Sequence, residues 1–103
     1  MVRDTNVVVL SGTADSKPSS ITLKNNKKLS IFTLLTVEKY MMSDGTVGYH
    51  DNFVEIEALG RVAEKCQTEV KPGRRYHISG YLRVDDINGV DKVRVRAYNI
   101  QEE

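Results

Sequence analysis

DNFVEIEALGRVAEKC, residues 51–66, changes period in the middle. Up to Leu59 it alternates. Val54, Ile56 and Ala58 lie on one parity, and Phe53, Glu55 and Glu57 lie on the other, the pattern of a half-buried strand. Gly60 ends the alternation. RVAEKCQTEV (61–70) then places Val62, Ala63, Cys66 and Val70 close to helical spacing. A helix this short does not hold in water alone, so it must cover something. Phe53 poses a second question, because it stands on the parity that carries two glutamates.

Outward from this stretch the chain reads almost entirely as strands. NVVVLSGTA (6–14) is β-branched. DSKPSSITLKNNKK (15–28) reads as a polar loop with a brief extended piece around 21–23. LSIFTLLTVEKY (29–40) is a long strand, and Asp44-Gly45 marks a hairpin turn into the strand 53–59. Lys71-Pro72-Gly73 stops the helix. RRYHISGYLRV (74–84) and DKVRVRAYNI (91–100) form a last hairpin around Asn88-Gly89, with Tyr76 in the core and Val93, Val95 and Ala97 facing in. Five strands with one short helix between the third and fourth describe an all-β, five-stranded OB-fold barrel over residues 1–103. Gly12, Gly60 and Gly80 fit the bends it needs.

Length and composition fit one domain of 103 residues with a net charge of +1. No apolar run is long enough for a membrane helix, the N-terminus shows no signal-peptide pattern, and the single Cys66 fits a reducing, cytoplasmic compartment. The charge is segregated. Residues 17–28 hold Lys17, Lys24, Lys27 and Lys28 without an acid, and 71–96 hold Lys71, Arg74, Arg75, Arg83, Lys92, Arg94 and Arg96 against three aspartates. Residues 44–57 are purely acidic. Such segregation creates a local positive field that the total conceals. His50 and His77 have no ligand spacing, no glycine loop of the phosphate-binding kind precedes a helix, and Ser11-Gly12 and Ser79-Gly80 lack a nucleophile context. No metal, cofactor or enzymatic chemistry is expected.

The order NVVVLSG (6–12), LTVEKY (35–40), FVEIEALGRVAEKC (53–66), KPGRRYHISGYLRV (71–84) and NGVDKVRVRA (88–97) resembles the DNA-binding core of bacterial single-stranded DNA-binding proteins and the related primosomal replication protein B. The resemblance implies base stacking at Tyr40 and Phe53, where the family commonly has tryptophans. It implies phosphate contacts from Lys28, Lys39, Arg75, Arg83, Lys92, Arg94 and Arg96. It also implies a homodimer or homotetramer, since family members pair through the first strand. Val7, Val9, Ile31, Leu35 and Val37, apolar on parities that face out of the barrel, are the candidate interface.

Several features depart from the family pattern. There is no tryptophan, the 85–90 hairpin lacks an aromatic, Leu59 stands where a phenylalanine is common, and Glu55 and Glu57 place negative charge beside Phe53. The chain ends at Gln101-Glu102-Glu103 without the long linker and acidic tip through which the usual bacterial protein recruits partners. The expected function is sequence-nonspecific binding of single-stranded DNA in replication, recombination or repair, at the nucleoid. The alternatives are a replication-restart accessory protein that also contacts primosome proteins, an OB-fold protein-interaction module, and an RNA binder. For the cation row Lys92, Arg94 and Arg96, a solvated edge stands beside phosphate contact.

Overall fold

The strands close into a barrel by following one path. The computed structural model describes residues 4–103. In chain order the elements are β1 (Val8–Ala14), β2 (Ser19–Thr22), β3 (Lys28–Met41), β4 (Val47–Leu59), α1 (Arg61–Glu69), β5 (Arg75–Ile87) and β6 (Val90–Glu102). The sheet runs β1-β5-β6-β4-β3, and β1 returns to β3 through Thr13 opposite Leu35 and Ala14 opposite Leu34. All of these pairings are antiparallel except β4 with β6, which are parallel and meet only at Ile56–Val95 and Glu57–Arg96. This is the five-stranded barrel that the alternation implied, with the helix where it was expected.

The 15–28 segment differs from the expected loop. Its extended piece is a strand, β2, laid along β3 from Ser19–Ile31 to Thr22–Lys28. β2 occupies the β3 edge that β1 leaves free, so the ladder is nearly continuous although the polar sequence hides it. Its residues are all exposed, which is why no alternation announced it.

Phe32, Leu34, Ile56, Ala58, Tyr76, Ile78, Val95, Ala97 and Ile100 fill the barrel. Gly60 ends β4 at a φ of 63°, a left-handed conformation that suits glycine, and turns the chain into α1. The helix buries Ala63 and Cys66, with Val70 just past its end, over one mouth of the barrel. The Tyr76 hydroxyl fastens its exit: it donates to the Glu69 carbonyl at 2.8 Å and accepts from the Lys71 N–H at 2.8 Å. Gly80 lies where β5 and β6 slip register, and a Cβ there would run into the Arg96 carbonyl.

Both hairpins outrun the barrel. β3 and β4 stay paired to Met41–Val47, and β5 and β6 to Ile87–Val90, so the molecule extends 55 Å along its long axis. Its radius of gyration, 15.5 Å, exceeds the ~13 Å of a compact domain of about 100 residues. The Asn88-Gly89 turn has φ of 53° and 80°, as a tight hairpin requires. These lengths correct one expectation: Val93 does not face the core but is 54% exposed, because it projects beyond the barrel wall on the β5–β6 arm. Val95 and Ala97, nearer the barrel, are buried as expected.

Removing the Tyr76 hydroxyl takes both of its hydrogen bonds from part-buried backbone groups of Glu69 and Lys71. Tyr76→Phe is expected to cost about 1–3 kcal/mol in urea unfolding. Cys66 gives a pH signature. Burial pushes its thiol up from 9.0 to about 12. The folded state therefore holds this proton more tightly, and the contribution is complete below pH 9.0 and lost as pH rises toward about 12. Between these limits the wild type should lose roughly 1.4 kcal/mol per pH unit relative to Cys66→Ala in denaturant titrations.

Candidate nucleic-acid interface

The β3–β4 ribbon carries both aromatics that the sequence singled out, on opposite faces. Side chains alternate along each strand and opposed residues share a face. Phe53 is opposite Leu35, and the flanking pairs Thr33–Glu55 and Val37–Asp51 lie on that same outer face. Phe53 is 60% exposed. Tyr40 is opposite Gly48 on the other face, the continuation of the core side beyond the barrel, and is 42% exposed. Its ring lies across Gly48, where a Cβ would sit 2.5 Å from the ring carbon Cζ. One side of the ring thus rests on backbone, which glycine alone permits here. The sequence reading missed Gly48; a glycine inside a paired strand next to an aromatic position was its signal.

Alongside Phe53 runs a row of charge. Glu55 and Glu57 follow it at strand spacing on β4, and the parallel register of β6 brings Arg94 and Arg96 beside them. Arg96 Nε donates to Glu57 Oε1 at 3.0 Å, and Arg94 Nη1 lies 3.7 Å from Glu57 Oε2. Glu55 draws Arg94 Nε to 3.3 Å and Lys92 Nζ to 3.7 Å. Arg83 approaches Glu57 at 3.9 Å and donates to Asp85 at 3.2 Å, a hydrogen bond that raises its pKa further. Glu57 faces outward from the barrel yet is only 2% exposed, because these guanidiniums cover it. The two glutamates therefore do not present bare negative charge beside Phe53. Equally, Arg83, Lys92, Arg94 and Arg96 are brought together but are held by carboxylates.

The other cations are scattered. Arg75 pairs with Glu103 at 3.2 Å at the far end of β5. Lys39 is exposed on the Phe53 face, opposite Tyr49, and Lys28 starts β3 near α1; among the described residues neither makes an ion pair. The apolar outer residues form two groups. Ile31, Leu35 and Val37 share the Phe53 face. Val7 and Val9 are exposed at the start of β1, at least ~13 Å along the strand from the Thr13–Leu35 contact.

This geometry has known relatives. The model of the single-strand binding protein family matches residues 5–103. The chain belongs to that family. Over 95 residues it is 30% identical to single-stranded DNA-binding protein 1 of Chlorobaculum tepidum, an alignment covering 89% of this chain and 59% of that relative. The chain thus spans about three-fifths of the length of that curated relative. Its fold superposes with a TM-score of 0.88 on a deletion mutant of the single-stranded DNA binding protein from Thermus aquaticus, at 21% identity, covering 100% of this chain and 52% of that one. The TM-score is also 0.88 with the Plasmodium falciparum SSB in complex with ssDNA, at 16% identity, covering 100% and 98% of the two chains. A small single-stranded DNA-binding protein from Streptomyces coelicolor superposes at 0.79 and 17% identity, covering 99% and 96%. No helix among the described residues is long and apolar enough to cross a membrane.

Within this family member the buried carboxylate is a structural element. Glu57→Ala would leave Arg96, largely covered, without a counter-charge, and Arg94 with Glu55 alone. It is expected to lower stability by about 3 kcal/mol, read as a shift of the denaturation midpoint.

Proposed function

We propose that the chain binds single-stranded DNA without strong sequence preference, in replication, recombination or repair. The observation that carries this reading is the open ring of Phe53, set on the outer face of a barrel strand beside a cation row. A base stacks on such a ring whatever its identity. Tyr40, braced from behind by Gly48, offers a second platform. The two rings lie on opposite faces of one ribbon. Beyond Ile56–Glu57 the outer edge of β4 is unpaired among the described residues, so a single strand has room to pass round that edge from one ring to the other. Lys39 on the Phe53 face, with Lys28, Arg75 and the Arg83, Lys92, Arg94 and Arg96 group, supplies the phosphate contacts.

Self-association belongs to the same reading. Val7, Val9 and Val37 are exposed β-branched residues on outer faces, and a second copy of the chain would cover them, with Ile31 and Leu35 at the margin. The partners are then single-stranded DNA, the chain itself and, where it acts in replication restart, other replication proteins.

The test is titration of a labelled oligo-dT of about 35 nucleotides, long enough for more than one OB fold, against matching duplex and oligo-U at two salt concentrations. The DNA single strand should bind best, and its affinity should fall as salt rises. Phe53→Ala and Tyr40→Ala should each weaken binding by about 5- to 150-fold, the equivalent of one stacked base. Gly48→Val, which pushes the Tyr40 ring off its seat, should act like Tyr40→Ala. Absence of binding at low salt would overturn the reading and leave the outward face to a protein partner.

A further inference from the structure

The charge row beside Phe53 holds its cations in two different ways. Glu57 is buried, and its bond from Arg96 is a directed hydrogen bond of 3.0 Å. Glu55 is different. Its side chain is 30% exposed, it holds Lys92 at 3.7 Å, and its contact with Arg94 Nε at 3.3 Å is an ion pair without a formed hydrogen bond; that buried nitrogen has no hydrogen-bond partner at all. Glu55 lies two residues from Phe53 on the same face, and Lys92 reaches across to it from β6 while remaining about half exposed. A phosphate following a base stacked on Phe53 would meet Lys92 and Arg94 at the place a carboxylate already fills.

We propose that Glu55 is an internal competitor for phosphate, a carboxylate that occupies Lys92 and Arg94 in the free protein and so sets how tightly the site takes nucleic acid. The inference rests on the single-strand reading above and adds a residue that limits it. The physical basis is the similarity of the two anions: carboxylate and phosphate oxygens both accept from guanidinium and ammonium donors at similar distances. Counting Asp85, four cations share this face with three carboxylates, so the field at Phe53 is far weaker than the cation row alone would give. Glu57 is no such competitor, because it is covered and bonded as part of the barrel wall. Glu55 is the exposed member and the one that an entering phosphate can displace.

The experiment compares wild type, Glu55→Gln, Lys92→Ala and Glu55→Gln/Lys92→Ala for binding of oligo-dT across a salt series, with thermal melting to verify folding. Glu69→Gln, on α1 and paired with Lys65, makes the same change in net charge away from the site. If Glu55 competes, Glu55→Gln binds more tightly, by roughly tenfold near 50 mM salt. The slope of log affinity against log salt also steepens by about 0.7, the signature of one added phosphate contact on a single strand. Lys92→Ala weakens binding in both backgrounds, but by several-fold more in the Glu55→Gln background, where it removes most of the gain. Unchanged or weaker binding by folded Glu55→Gln, or an equal gain from Glu69→Gln, would overturn the inference while leaving the single-strand reading standing. Failure of every variant to bind at low salt would overturn both.

Discussion

The barrel depends on the short parallel contact between β4 and β6. Like β1 with β5, it joins strands far apart in the chain, but it is the one parallel pairing among the described residues and, with β1–β3, the shortest seam, with Ile56 opposite Val95 and Glu57 opposite Arg96. Inside, Ile56 and Val95 meet in the core. Outside, Glu57 and Arg96 meet as a hydrogen-bonded ion pair. A parallel register this short gains little from its ladder alone. The apolar pair on one face and the charged pair on the other fix it, and a slip of one residue would bury the charges and expose the core.

That closure also builds the face on which function is proposed. It carries Lys92 and Arg94 of β6 to the side of β4 that bears Phe53 and Glu55. The two hairpins can then run past the barrel as arms, because the cylinder is complete without them. Tyr40 and Tyr49 on one arm and Val84 and Val93 on the other are exposed because they have left the wall, and Phe53 because it faces out of it, not because the core is loosely built. Single-strand binding needs apolar surface that meets solvent in the free protein, and arms supply it without an unfilled interior.

Much of this was legible from particular residues. The alternation of 53–59, its stop at Gly60 and the short apolar period of 61–70 carry the strand–helix junction, because a strand of period two and a helix of period 3.6 cannot share a pattern. Asn88-Gly89 and Asp44-Gly45 carry the two hairpins, since left-handed backbone at a turn restricts the residue choice. β2 was hidden because an edge strand with every residue exposed has no buried parity to display. Val93 was misread because its alternation continues past the point where the core ends. Gly48 was missed because its role lies in the ring of Tyr40, eight positions earlier in the chain.

The sequence by itself determined the class of fold, the order of the five barrel strands and the helix, the core parity within the barrel and the outward position of Phe53, all set by local period and turn chemistry. Only the tertiary structure decided what the charges do. In the sequence, Glu55 and Glu57 stand beside Phe53 as repulsive neighbours, and Arg83, Lys92, Arg94 and Arg96 stand tens of residues away as free cations. Folding places them against one another, and the sum is a nearly neutral face. Coulomb interaction depends on distance through space, with the dielectric of the place where the charges meet, and neither is written in the spacing of residues along the chain.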